Sequence, residues 1–130
     1  MKYKFKLFGS IGMGVSIALG AFGSHWAKTI LSETALATYD IGVRYLFYQS
    51  LACLALVSWH NKGKETKRIF NSFFFGTLFF SGSLILLSFQ AFTPFSIKSI
   101  GIITPIGGIL LLLGWVLTLR NILKKRKESS

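Results

Sequence analysis

The sequence predicts an all-α integral membrane protein. It reads as a four-helix bundle with both termini in the cytoplasm (N-in/C-in) and a short amphipathic helix on the outer side before the second span. Three observations carry this. Hydrophobic residues make up 52% of the 130 and charged residues only 15%, against roughly 25% charged in an average soluble domain. The apolar residues also lie in runs. Leu7 to His25, Val43 to Trp59, Ile69 to Phe89 and Ile100 to Leu119 hold no Lys, Arg, Asp or Glu except Arg44, at the margin of the second, and each approaches the roughly 20 residues an apolar helix needs to cross a bilayer. Finally, the basic residues fall on one side of those runs. Lys2, Lys4 and Lys6 precede the first, Lys62, Lys64, Lys67 and Arg68 separate the second from the third, and Arg120, Lys124, Lys125, Arg126 and Lys127 follow the fourth, leaving Lys28, Arg44 and Lys98 for the other side. Such an excess marks the cytoplasmic face. The formal charge of +11 is thus a topology signal rather than a nucleic-acid footprint, and the basic tail 120–130 is expected to lie on anionic lipid. One membrane domain over residues 1–130 is expected, with too little chain outside the spans for a separate catalytic or nucleotide-binding domain. The single Cys53 excludes a disulfide framework.

Taken in order, the first span begins with three lysines and ends near Ala21-Phe22-Gly23, features shared with a cleavable secretory signal. Its apolar stretch exceeds a signal core of roughly 7–15 residues, and Gly12, Ser16, Gly20 and Ser24 recur every fourth position. A small-residue row of this kind lets another helix approach closely in lipid, so span one is expected to be retained. Ser32, followed by Glu33, Leu36, Tyr39, Val43 and Phe47, has the cap and spacing of a helix that starts outside the bilayer and runs into span two. That helix supplements a span at the lower length limit. Trp26, Tyr39, Tyr45 and Tyr48 suit an interfacial aromatic belt. Span three is dense in phenylalanine, Phe73, Phe74, Phe75, Phe79 and Phe80, with Gly76 and Gly82 as relief. Thr93-Pro94-Phe95-Ser96 forms a turn, and span four repeats the small-residue device with Gly101, Thr104 and Gly108, continuing to Trp115. Pro105 leaves a carbonyl for Thr104 or water to satisfy.

Four motifs in order resemble one family. Gly20-Ala21-Phe22-Gly23-Ser24-His25, then Arg44-Tyr45 to Tyr48 with Leu51-Ala52, then Phe80-Ser81-Gly82-Ser83-Leu84, and Ile103-Thr104-Pro105-Ile106-Gly107-Gly108 with Gly114-Trp115, are similar to domain-of-unknown-function family 423. That family includes the YgdD-like and YwdK-like bacterial proteins and animal transmembrane protein 256 relatives. The resemblance covers about Leu7 to Leu119 and implies a small inner-membrane protein with no established reaction, ligand or cofactor. Where members commonly carry Tyr-His, this chain has Tyr48-Gln49, and a glutamine amide hydrogen-bonds without titrating.

The residues that bear chemistry are few. His25 and His60 lie a bilayer apart and Cys53 sits inside span two, so no metal set is expected. Ser24 and His25, as neighbours on a helix, point about 100° apart and make no catalytic pair. Neither enzyme activity nor a cofactor is expected. The remaining candidate is an outer-leaflet polar cluster of His25, Asp40, Arg44, Tyr48, Gln49 and Gln90. Within it Asp40, Arg44 and Tyr48 share a face at i, i+4, i+8, and the first two can pair. The cluster reads either as a pocket for a lipid headgroup, a quinone or a partner's loop, or as a brace in which Asp40 and Arg44 neutralise each other. Helix packing is assigned to Gly12, Ser16, Gly20, Ser24, Gly82, Thr104 and Gly108. The expected function is non-enzymatic, in envelope integrity or as an accessory subunit, with membrane lipids, copies of itself or other membrane proteins as partners. A small-solute or proton pathway, or lipid or quinone binding, is the alternative. Absence of ionisable residues at mid-span weighs against the pathway.

Overall fold

The computed structural model describes residues 2–58 and 63–129. Trp59, at the end of the second expected span, His60 and Lys62 lie outside them. Among the described residues the elements are helical: α1 (Lys2–Ile30), α2 (Glu33–Leu56), α3 (Lys64–Ser88) and α4 (Ile103–Ser129). Short 3-10 turns, Gln90–Phe92 and Lys98–Ile102, lie between α3 and α4. Ser32 caps α2 through its Oγ, which accepts the Ala35 N–H at 3.2 Å and so satisfies one of the amides a helix start leaves open. The approach helix and the second span are one element, because nothing between Glu33 and Leu56 interrupts the ladder. Gly63, ahead of α3, takes φ 147°, a left-handed conformation that suits glycine. Pro105 is the third residue of α4, in the first turn, where a helical N–H has no intrahelical acceptor. The Thr104 hydroxyl bonds to Ser83 across the seam with α3.

Each helix packs antiparallel on the one before it: α1 on α2, α2 on α3, α3 on α4. Near its start α1 also reaches α3, Phe5 meeting Phe70 edge-on at 5.2 Å and Phe8 meeting Phe74 at 5.5 Å. The start of α1, the start of α3 and the end of α4 therefore share one end of the bundle, and with them the three basic groups. The chain is a multi-pass membrane protein. Three of its helical stretches, Lys2–Ile30, Lys64–Ser88 and Lys98–Glu128, are long and apolar enough to cross a membrane. α2 is not among these. Its 24 residues give about 36 Å at 1.5 Å per residue, enough to cross, but Glu33, Asp40, Arg44 and Gln49 lower its hydropathy.

The interior has two apolar clusters. Phe5, Cys53, Leu56, Ile69, Phe70, Phe73 and Leu111 pack at the basic end, and Ala27, Tyr39 and Val43 at the other, with Leu19, Phe22, Ile85 and Phe89 against them. Between them lies a belt of small and polar buried residues: Ser16, Gln49, Ser50, Thr77, Ser81 and Ser83.

Ahead of the apolar run from Ile69, Glu65 ties α3 to the end of α4, accepting from Asn121 Nδ2 at 2.9 Å and Lys124 Nζ at 3.3 Å. The Lys124 hydrogen bond and charge hold its carboxyl below the usual carboxylate range, with Asn121 assisting. A depressed native pKa contributes stability above the unfolded value, near 4.3 for Glu, and that stability is lost as pH falls through the native value. Glu65→Gln is accordingly expected to lower the melting temperature slightly at pH 7 and to converge with the parent on acidification, as thermal melts in detergent at stepped pH would show. A gap that does not close would mean the bridge contributes by shape alone.

Candidate functional site

The first sequence motif makes its sense around Tyr39. Residues Gly23–Ala27 form a π-helical turn in α1, and the Tyr39 ring of α2 lies against it. A methyl group at Gly23 would stand 2.8 Å from the ring Cε1, so only glycine leaves room. The buried Tyr39 hydroxyl donates to the Leu19 carbonyl. The row of α1 that packs on α2 is Gly9, Gly12, Ser16 and Gly23, which are buried. A methyl at Gly12 would overlap Ser50 Oγ. Gly20 has open space around the position of a side chain, and Ser24 is exposed. The reason is angular: four residues turn a helix 400°, so a strict four-residue row drifts 40° per step and leaves the seam after two. In the α3/α4 seam the close approach is at Gly76, Gly107 and Gly114. A methyl at Gly107 would overlap the Phe80 backbone nitrogen and stand 2.9 Å from the Gly76 carbonyl oxygen, and one at Gly114 would strike the Phe73 ring. Gly82 is open and Gly108 has only ordinary contact room against Phe80. The third and fourth motifs are the two sides of this seam, joined by the Ser83 to Thr104 hydroxyl pair.

The six residues expected at an outer polar cluster are placed in four environments. His25 is exposed on the π-helical turn beside Trp26. Gln90 organises the turn before α4: its Nε2 donates to Thr93 Oγ1 at 2.9 Å and to the Phe95 carbonyl at 3.1 Å, and its Oε1 accepts from Ile97 N–H at 2.7 Å. With both donors used, the amide acts as a brace. Gln90→Ala, removing three bonds each worth about 0.5–1.5 kcal/mol net, is expected to cost about 2 kcal/mol and to speed hydrogen exchange at the Ile97 amide. Unchanged exchange there would show the turn to be held by its backbone.

Gln49 points inward. It is 7% exposed, and its Oε1 lacks a hydrogen-bond partner, as do the buried hydroxyls of Ser50, Thr77 and Ser81. These four atoms make the belt the place where buried polarity is least satisfied, a costly condition in a dry interior. Thr77 and Ser81, not among the residues expected at a site, lie four apart on one face of a phenylalanine-rich helix, and that spacing is the signal that marks them as its polar stripe. Facing them from α2 is Gly42, where a methyl would stand 3.0 Å from the Ser81 carbonyl oxygen.

Asp40, Arg44 and Tyr48 are brought together, on the outward face of α2, and all three are exposed. No ion pair joins Asp40 to Arg44 in the structure. Arg44 is the twelfth of the 24 residues of α2, so it stands at the helix midpoint. On α4 the corresponding exposed residues, Ile106, Ile109, Leu112, Leu113 and Val116, are apolar. Among the described residues no group of three His, Cys, Asp or Glu could hold a metal ion. Toward the end away from the basic residues, Ser32, Thr34, Thr38, Ser88 and Thr104 line an open cleft between α2, α3 and α4.

Comparison with known proteins gives the context. The family model described as "Protein of unknown function (DUF423)" matches residues 19–108. The chain is 37% identical over 117 residues to a UPF0382 membrane protein of Haemophilus influenzae, covering 89% of this chain and 90% of that one. It is 30% identical to the UPF0382 membrane protein YwdK of Bacillus subtilis, covering 87% and 90%. With the UPF0382 inner membrane protein YgdD of Escherichia coli it shares 27% identity, covering 94% and 91%. No solved structure matches.

Proposed function

Because the chain belongs to the DUF423 family, and the relatives named above are membrane proteins without an enzymatic name, we propose that it acts by association inside the membrane, as an accessory or assembly subunit, and catalyses no reaction. The observation that carries this is the outward face of α2. Asp40 and Arg44 are the charged side chains that lie between the two charged ends of the bundle, and both are exposed near the middle of their helix. A charge near the bilayer centre costs roughly 2.5–3.5 kcal/mol on insertion scales, and intramembrane charges face protein or water far more than lipid. A face that is fit for lipid, as on α4, needs no such residues. Native mass spectrometry of the chain released from lipid nanodiscs tests the reading. An added protein mass on the parent that Arg44→Leu removes supports it; a bare chain in both sinks it.

A second reading rests on the hydroxyl-lined cleft, which offers donors and acceptors near one membrane surface and suits a lipid or quinone headgroup. Thr38→Val with Thr104→Val would then reduce copurifying lipid or quinone, measured by extraction and mass spectrometry, while equal content would exclude the cleft.

A further inference from the structure

We infer that the partner at this face is a second copy of the chain, the two α2 helices lying side by side so that Asp40 of each copy meets Arg44 of the other. The inference rests on the reading that α2 associates with protein, and it names the protein from the pattern of charges. Going down the exposed side of α2, Ala37, Ile41, Arg44, Tyr48, Leu51 and Ala55 follow one another at alternating steps of four and three, and all six are exposed. This is the spacing by which one helix keeps a continuous line of contact with another. Ala37 and Ala55, at its two ends, let backbones come close. The line carries one base, Arg44, and beside it one turn earlier lies one acid, the exposed Asp40, so the face is neutral as a whole and complementary to itself.

Self-complementarity decides the symmetry. Both copies carry their basic residues at the same end of the bundle, so they insert the same way up, and a two-fold axis along the membrane normal relates them. In such an isologous contact, if residue i meets residue j, then j meets i. Asp40 and Arg44 are separated by about 6 Å along the helix axis, and packed helices stand about 8–10 Å apart. An extended guanidinium spans that diagonal, so two reciprocal pairs form at once and neither charge faces lipid. A guanidinium and a carboxylate meeting this way form the stronger, charge-assisted kind of hydrogen bond. The absence of an Asp40–Arg44 pair within one chain leaves both groups available for it. An unrelated partner would have to supply an acid and a base at matching depth; a second copy supplies them by construction.

Charge reversal tests the pairing in the full-length chain. Two populations, one with a donor dye and one with an acceptor, are reconstituted at low protein density in vesicles of phosphatidylethanolamine and phosphatidylglycerol, and energy transfer reports association. Parent copies are expected to associate. Arg44→Asp puts two acids on the face and Asp40→Arg puts two bases, so each variant alone should lose at least about tenfold in association. Mixed together, the two variants should associate with each other to within about threefold of the parent. The doubly exchanged chain, Asp40→Arg with Arg44→Asp, should self-associate. The mixture guards against misfolding, since rescue requires both variants to be folded. If the variants associate as well as the parent, or if the mixture stays apart while the doubly exchanged chain also stays apart, the reciprocal pairing is wrong. If parent copies show no transfer but another membrane protein copurifies and is lost with Arg44→Asp, the second copy is excluded and association with protein stands. No transfer and no copurifying protein overturns both.

Discussion

Gly107→Leu is expected to pull α4 away from α3 and to lower stability by about 3 kcal/mol or more, at or above the upper end of the range for overpacked sites. Most overpacked positions relieve themselves by moving a side chain. Here the atoms in the way are backbone: the Phe80 nitrogen, the Gly76 carbonyl oxygen and the Phe79 carbonyl carbon. To make room the helices must separate, and the Ser83 to Thr104 bond and the Phe73–Trp115 ring contact, 5.0 Å between centroids, go with that separation. Gly20→Leu is the control, since a side chain there enters open space; it should melt with the parent. Thermal unfolding in a mild detergent, followed by loss of helical signal or by aggregation, separates the two. If Gly107→Leu melts like Gly20→Leu, the seam between α3 and α4 is not formed as described.

The second large effect is all-or-none. A reporter fused to the C-terminus, or inserted next to Gly63, should read out in the cytoplasm, while one after Ser96 should read out on the far side. The antiparallel order brings Lys2, Lys4, Lys6, Lys64, Lys67, Arg68 and the basic residues from Arg120 onward to one end of the bundle. The opposite end carries Lys28 and Lys98. The positive-inside rule counts such residues in short loops and near span ends, and here the three stretches act together. A reporter at the C-terminus that is active outside would invert the bundle and move the hydroxyl-lined cleft to the inner leaflet.

Much of the architecture was legible because membrane helices announce themselves by length and by their charged borders. Ser32 as a cap, the continuity of α2 and the closeness of Gly12 and Ser16 to a neighbouring helix follow from local chemistry and spacing. What escaped is what depends on rotation. Gly20 and Gly108 are small residues like Gly23 and Gly107, and only the angle of the helix decides which of each pair meets a neighbour's atoms. Beyond Gly23 the π-helical turn shifts that angle by one residue's worth, and no composition signals it. Gln49, one position from the exposed Tyr48, turns inward because neighbours on a helix stand about 100° apart. Gln90 looked like a ligand-binding amide because a sequence shows its polarity but not its partners, which are the turn's own Thr93, Phe95 and Ile97. Arg44 stands at the start of an apolar run, while the helix that carries it begins eleven residues earlier at Glu33.

That each helix packs on its predecessor, with no seam between α1 and α4 among the described residues, bears on how the protein is made. Synthesis delivers the helices one at a time from the N-terminus, and every newcomer finds its main partner to be the helix already delivered just before it. α1 finds its long seam in α2 and only its first turns, at Phe5 and Phe8, wait for α3, and α4 closes on α3 without any earlier helix having to hold a place open for it. The interactions are between near neighbours in the chain, the condition under which folding is fast because little loop entropy is lost before contacts form. Gly23 admits Tyr39 as soon as α2 arrives, and Gly107 meets Phe80 only when the last helix does, so the order of translation is also the order in which the bundle can be assembled.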